Sequence, residues 1–162
     1  MTRFWDIYES PIGPLTLISS DLGLTGIAFP GRDLKLRTED HEPALLEPAA
    51  EQLEQYFNGE RRSFELELDV TGSAFQVSIW QRLLEIPYGA TISYSQLAEA
   101  VDRLHIVRAV AAVVGRTPVP IVIPCHRVVG ADGSLTGYGG GLDRKRDLLQ
   151  LESSGARQLT LL

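Results

Sequence analysis

The chain has 162 residues, enough for one full core or two small subdomains, with 44% hydrophobic and 22% charged residues and a formal net charge of −6 at pH 7. That charge argues against a generally basic protein that coats nucleic acid. No apolar run approaches the roughly 20 residues needed to span a bilayer, and the segment Met1-Thr2-Arg3-Phe4-Trp5-Asp6 does not read as a secretory signal. The lone Cys125 excludes an internal disulfide and fits a reducing compartment, so a cytoplasmic protein is expected. With His41, His105 and His126 scattered, there is no Cys-rich zinc pattern, and no metal or cofactor is implied. Charge is uneven: residues 1–90 carry 7 Lys+Arg against 15 Asp+Glu, and residues 91–162 carry 8 against 6. Only the C-terminal part is therefore suited to meet a polyanion.

In chain order, Phe4 to Glu9, Leu15 to Ser19 and Leu24 to Phe29 read as antiparallel strands, separated by the turn clusters at Ser10-Pro11-Ile12-Gly13-Pro14 and Asp21-Leu22-Gly23. From Pro43 to Phe57 the positions Leu45, Leu46, Ala49, Leu53, Tyr56 and Phe57 form a helical stripe that Asn58-Gly59 ends. Phe64 to Val70 alternates strictly, which predicts a half-buried strand. The carboxylates of this half read as a solvated surface. Thr71-Gly72-Ser73 is the expected junction between an N-terminal subdomain, residues 1–72, and a C-terminal one, residues 73–162.

A helix follows the junction, capped by Ser73, with Phe75, Ile79, Trp80, Leu83 and Leu84 on its apolar face. Residues 91–116 predict a helix-turn-helix: Tyr94 to Val101, a turn near Asp102-Arg103-Leu104, then His105 to Val114 with Gly115 as the stop. The second helix holds one charge, Arg108. Its stem either lies along the core edge with a carboxylate partner, or Ala109, Ala111 and Ala112 let the helix approach a surface closely while Arg108 reaches outward. Gly137-Tyr138-Gly139-Gly140-Gly141 is a loop suited to close backbone approach, without the Gly-Lys-Ser/Thr ending of a phosphate cradle. A last helix, about Asp143 to Ser153, places Glu152 at its C-terminal end. The helix dipole disfavours a carboxylate there, so Glu152 is either simply exposed or has a specific cationic or hydrogen-bonding partner. The fold class expected is α+β: an antiparallel sheet with a helix, then a mainly helical part.

The chain is organised around Val119-Pro120-Ile121-Val122-Ile123-Pro124-Cys125-His126-Arg127-Val128. Ile121 to Ile123 read as a short buried run bracketed by two prolines, which leaves the following Cys-His pair little backbone freedom. A lone Cys is usually a small hydrophobe. The adjacent His supplies the base a thiol needs to become a nucleophile, though neighbours in sequence need not face each other and a water can stand between them.

Pro124-Cys125-His126-Arg127-Val128 resembles the active-site signature of the O6-alkylguanine-DNA alkyltransferases, bacterial type. The surroundings agree in order and spacing: Phe75-Gln76, Val77 and Trp80, Ile86-Pro87-Tyr88-Gly89, Ser93-Tyr94, Arg108-Ala109-Val110, Pro118-Val119-Pro120 and Gly137 to Leu142. Ser10 to Leu15 also looks like the bacterial branch. The resemblance implies that Cys125 accepts the alkyl group, that His126 draws its proton through a water, and that Glu152 orients His126. It implies that Tyr94 hydrogen-bonds an extruded guanine, that Arg108 fills the vacated place in the stack, and that Ala109, Ala111, Ala112 and Thr117 lie at the DNA. Pro120, Val128, Tyr138 and Gly139 would line the guanine pocket. The implied partner is duplex DNA carrying O6-alkylguanine, met by a monomer, with side-by-side assembly on DNA and action on O4-alkylthymine left open.

The sequence departs from the family pattern at several positions. Thr117 stands where an Asn usually precedes Pro118, Ala111 and Ala112 replace residues that are often Gly or similarly small, Arg116 replaces a residue that is often small, and the turn at 102–106 lacks the usual Gly and Pro. The rival functions are a non-repairing sensor of alkylated bases, which would not need Cys125, a Cys-His hydrolase, which would turn over repeatedly, and a thiol-based regulator, which a lone Cys suits poorly.

Overall fold

A computed structural model describes residues 2–161, with side chains as far as residue 153. Met1 and Leu162, the outer ends of the two expected subdomains, lie outside the described residues. The chain divides into two compact units, Met1–Val70 and Thr71–Leu162.

In the first unit, β1 (Phe4–Ser10), β2 (Gly13–Ser19) and β3 (Leu24–Ala28) form an antiparallel sheet in the order β1-β2-β3. Gly13, at φ 110°, lets the chain reverse within two residues, so Ser10 pairs with Gly13 and Phe4 with Ser19. Alternation puts Leu15 and Leu17 on the buried face of β2. Helix α1 (Pro43–Phe57) packs on β1 and β2 through Leu46, Ala49, Leu53 and Tyr56, an i, i+3, i+7, i+10 stripe that is buried throughout.

The strand expected over Phe64 to Val70 does not form. The segment meets β3 at one residue only: Leu24 N–H donates to the Glu67 carbonyl at 2.9 Å, and Asp69 N–H to the Leu24 carbonyl at 2.8 Å. Leu24 is the first residue of β3, so the alternating pattern is satisfied by a single bridge. Gly23 permits this approach, because a Cβ there would lie 2.6 Å from the Glu67 carbonyl oxygen.

In the second unit, α2 (Ala74–Leu83) starts at a complete capping box: Gln76 N–H donates to Ser73 Oγ at 3.1 Å and Ser73 N–H to Gln76 Oε1 at 2.9 Å. The same device opens α3 (Tyr94–Ala100) with Ser93 and Gln96, immediately after β4 (Ile92–Ser93). The turn beyond α3 holds Asp102 at φ 56° and a 3-10 turn, Leu104–Ile106, so α4 (Val107–Gly115) begins two residues later than the sequence suggests and includes Gly115. Helices α3 and α4 pack together, giving the expected helix-turn-helix pair.

Ile121, Val122 and Ile123 are buried, as expected, but they form a tight turn. Ile123 N–H donates to the Val119 carbonyl at 2.9 Å, and Ile121 sits at φ 76°. A β-branched residue in that region stores strain of order 1–3 kcal/mol, held here by full burial of the side chain. A 3-10 turn, Cys125–Arg127, follows and leads into β5 (Val128–Val129), which pairs in parallel with β4. The last helix, α5 (Leu142–Leu161), is longer than expected and puts Glu152 in mid-helix, away from the dipole's negative end. No helix among the described residues is long and apolar enough to cross a membrane.

Candidate active site

Cys125 lies between the strained turn and β5, and its backbone is pinned on both sides. Its own N–H donates to the Ile123 carbonyl at 2.7 Å, and Val128 N–H donates to the Cys125 carbonyl. The side chain is buried. Burial pushes the thiol up to about 11; the Thr117 hydroxyl, nearby backbone amides and the charge of Lys145 pull the other way without overcoming it.

His126 and Glu152, fully buried at 0% and 1% exposure, meet across α5. His126 Nε2 lies 2.7 Å from Glu152 Oε2. His126 Nδ1 is equally buried and has no hydrogen-bond partner among the described residues. With Nε2 carrying the proton toward the carboxylate, Nδ1 is the free acceptor of a neutral imidazole. Burial lowers the His126 pKa below its ordinary value, more than the Glu152 carboxylate raises it. The resting pair is therefore a neutral thiol and a neutral imidazole, and thiolate forms only when the proton is taken.

Sequence reasoning missed two members of this site. Arg127 is buried and clamps Glu152: Nε donates to Oε1 at 2.8 Å and Nη2 to Oε2 at 3.0 Å, while Nη1 donates to the Ile86 carbonyl at 2.7 Å and the guanidinium lies 5.8 Å from the Tyr88 ring. The His126 and Arg127 hydrogen bonds and charges outweigh burial and hold the Glu152 carboxyl down to about 2. Lys145 is 0% exposed. Its ammonium donates to the Thr136 carbonyl at 2.8 Å and to the Gly137 carbonyl and Tyr94 Oη at 3.5 Å each. Spacing was the available signal: Lys145, Leu148 and Glu152 fall at i, i+3 and i+7, one face of a helix.

Tyr94, the first residue of α3, donates its hydroxyl to the Thr136 carbonyl at 3.1 Å. A cavity of about 520 Å³ gathers Tyr94, Arg108, Ala111, Tyr138 and Gly139 with the Thr136-Gly137 loop. Burial raises the Tyr94 and Tyr138 hydroxyl pKa values, and the charge of a Cys125 thiolate would raise them further, so the sulfur lies within electrostatic reach of the cavity wall. Arg108 is exposed at the cavity and makes no ion pair among the described residues, so the carboxylate partner of the first alternative is not there. Ala109 and Ala112 share that exposed face and stand outside the cavity. Thr117 turns its hydroxyl inward, donating to the Val114 carbonyl at 2.8 Å at the end of α4 and contacting the Cys125 sulfur. Pro120 and Val128 are buried and do not line the cavity.

Comparison with known proteins agrees with both halves. Residues 4–70 match the 6-O-methylguanine DNA methyltransferase ribonuclease-like domain, and residues 74–154 match the DNA binding domain of the same family. A methylated-DNA–protein-cysteine methyltransferase of Methanosarcina barkeri is 44% identical over 161 residues, covering 95% of this chain and 99% of the relative. One of the same description from Mycobacterium tuberculosis is 45% identical over 150 residues, covering 91% of each. The crystal structure of Mycobacterium tuberculosis OGT in complex with DNA superposes with a TM-score of 0.87 at 44% identity, covering 94% of each chain. The chain belongs to the 6-O-methylguanine DNA methyltransferase family, and its matched relatives are methylated-DNA–protein-cysteine methyltransferases.

Proposed function

We propose that the chain repairs duplex DNA by direct reversal, with Cys125 as the acceptor of the alkyl group of O6-alkylguanine. The buried Cys125–His126–Glu152 cluster beside an open cavity carries this reading. The alkyl carbon is inaccessible within a stacked duplex, so the base must be turned out into the cavity, at a cost of a few kcal/mol. The exposed Arg108, on an α4 face flanked by Ala109 and Ala112, is suited to occupy the vacated place, and Thr117 supports the end of that helix from within.

In the transfer, the Cys125 proton passes toward His126 Nδ1 through a water, and Glu152 holds the imidazolium that results. The sulfur bonds to the alkyl carbon, the carbon–O6 bond breaks, and its electron pair leaves with guanine. The Tyr94 hydroxyl turns from the Thr136 carbonyl to the base and stabilises that charge. The product is a thioether that nothing in the site can cleave, so each molecule acts once. Tyr138 and Gly139, which line the cavity, close the pocket. We assign the protein to the cytoplasm, where a free thiol persists, and infer that a monomer engages each lesion.

The test is Cys125→Ser. The variant is expected to bind a duplex carrying one O6-methylguanine as the wild type does and to leave the lesion intact. Removal of the methyl group by Cys125→Ser would sink the assignment, as would a wild-type protein that neither binds nor changes the lesion.

A further inference from the structure

The alternating segment 64–70 has no part in the reaction and does not complete the sheet. Its three carboxylates, Glu65, Glu67 and Asp69, fall at every second position. What it builds is a wall. Gln52 of α1 holds one end: Nε2 donates to the Glu65 carbonyl at 3.1 Å, and Glu65 N–H donates to Oε1 at 2.9 Å. The Leu24 bridge holds the other end, where Ser20 Oγ also donates to Asp69 Oδ2 at 2.5 Å. A wall tied to two elements makes the space beside it preformed.

That space is a groove of about 350 Å³ between the wall, the β2–β3 turn and the first turns of α1. Its floor is apolar, with Leu24, Leu46 and Ala49 buried. Its flanks are apolar and open: Leu22 is 74% exposed and Leu45 51%. Ser19 lines the same groove, and its hydroxyl is buried with no hydrogen-bond partner among the described residues. A buried hydroxyl left unpaired costs free energy that an incoming polar group would restore. The charged residues lining the groove are Asp21, Glu65 and Glu67, all exposed, and no Lys or Arg lines it among the described residues. Residues 1–70 carry 6 Lys+Arg against 14 Asp+Glu. Such a surface repels a phosphate backbone and attracts cations.

We propose that this groove is a docking surface for another protein, and that its occupant is a segment carrying apolar anchors flanked by Lys or Arg. The anchors enter between Leu22 and Leu45, the cations meet Asp21, Glu65 and Glu67 at the rim, and a backbone group of the segment satisfies Ser19 Oγ. The groove lies wholly within the first unit and shares no residue with the alkyl-transfer site, so the chain can hold such a partner without giving up any group that the reaction uses.

The test uses the full chain labelled with nitrogen-15. The probe is a pool of short peptides with two leucines, at helical or alternate spacing, between Lys and Arg residues. Amide shifts are expected at Ser19, Leu22, Leu45 and Leu66, and binding is expected to weaken as salt rises. Leu22→Ser and Leu45→Ser, both at exposed positions, should each weaken binding at least about tenfold, as should Glu65→Lys combined with Glu67→Lys. Ser19→Ala should also weaken binding, while its urea midpoint stays unchanged or rises because the lost hydroxyl has no partner. A Ser19→Ala variant of lowered stability overturns the part given to that hydroxyl. Absence of shifts at the groove, equal binding of a pool with Glu in place of Lys and Arg, or leucine variants that bind as the wild type does overturn the proposal. Self-association abolished by Leu45→Ser would give the groove to a second copy, and groove shifts on adding duplex would give it to DNA; either result overturns the proposal.

Discussion

Replacing Glu152 with Gln removes one negative charge and keeps the side chain's size. The carboxyl is held at about 2 against an ordinary 4.5, and the group is 1% exposed, so solvent screening does not discount the difference. At about 1.4 kcal/mol per pKa unit, that pairing contributes about 3 kcal/mol of stability at neutral pH. The independent figure for leaving a buried Arg without its partner, roughly 3–5 kcal/mol, agrees. For a chain of this length the loss corresponds to a fall in Tm of roughly 6–12 °C. A folded pKa below the unfolded one means stability fully present above pH 4.5 and lost as pH falls toward 2. The difference between wild type and Glu152→Gln should therefore shrink to about half by pH 3. His126 acts in the same direction in the wild type: its pKa is lowered in the fold, so below about pH 6.5 the unfolded chain binds the proton first and stability begins to fall there. Urea unfolding at pH 7, 5 and 3 reads both effects. A difference under about 1 kcal/mol at pH 7, or one that does not narrow between pH 5 and 3, would refute the assignment of Glu152 as a clamped buried carboxylate.

Ser73→Ala breaks the capping box of α2, far from the thiol in function, and should cost about 1 kcal/mol in urea unfolding while leaving the transfer rate unchanged. Tyr94→Phe should slow single-turnover transfer about 10- to 100-fold with duplex affinity intact, because the Thr136 carbonyl keeps its bond from Lys145. Arg108→Ala should weaken binding to duplex by about 1–3 kcal/mol in a titration, yet leave reaction with the free O6-methylguanine base unaltered. Methylated Cys125 adds a carbon to a buried site and should lower stability by about 1–3 kcal/mol, seen as a lower Tm after reaction with damaged DNA than before.

The sequence carries the fold where local rules agree with one another. Ser73 announces a helix start, and the α1 stripe announces a buried face that Leu46, Ala49, Leu53 and Tyr56 form, whereas Leu45 is exposed and Phe57 only half-buried. It misleads where a pattern is met by something less than an element. Phe64 to Val70 alternates like a strand, yet one bridge at Leu24 satisfies it. Ile121 to Ile123 read as a buried run and are buried, but the sequence does not announce the tight turn they form, in which burial of the side chains offsets the cost of Ile121 at positive φ. Cys125, His126 and Glu152, which the structure buries with His126 and Glu152 in hydrogen-bond contact, were named from one short motif and its resemblance. Arg127 and Lys145 were not, because charged side chains are usually solvated. Only their burial and hydrogen bonds, visible once α5 is packed, place them beside Glu152 and Tyr94.

The most direct test is an intact-protein mass spectrum after incubation with a limiting amount of duplex carrying one O6-methylguanine. One added methyl per lesion, mapped to Cys125 and persisting on prolonged incubation, is the predicted result. Loss of lesion in excess of protein, or a folded protein that binds the duplex and gains no mass, would contradict stoichiometric transfer to Cys125.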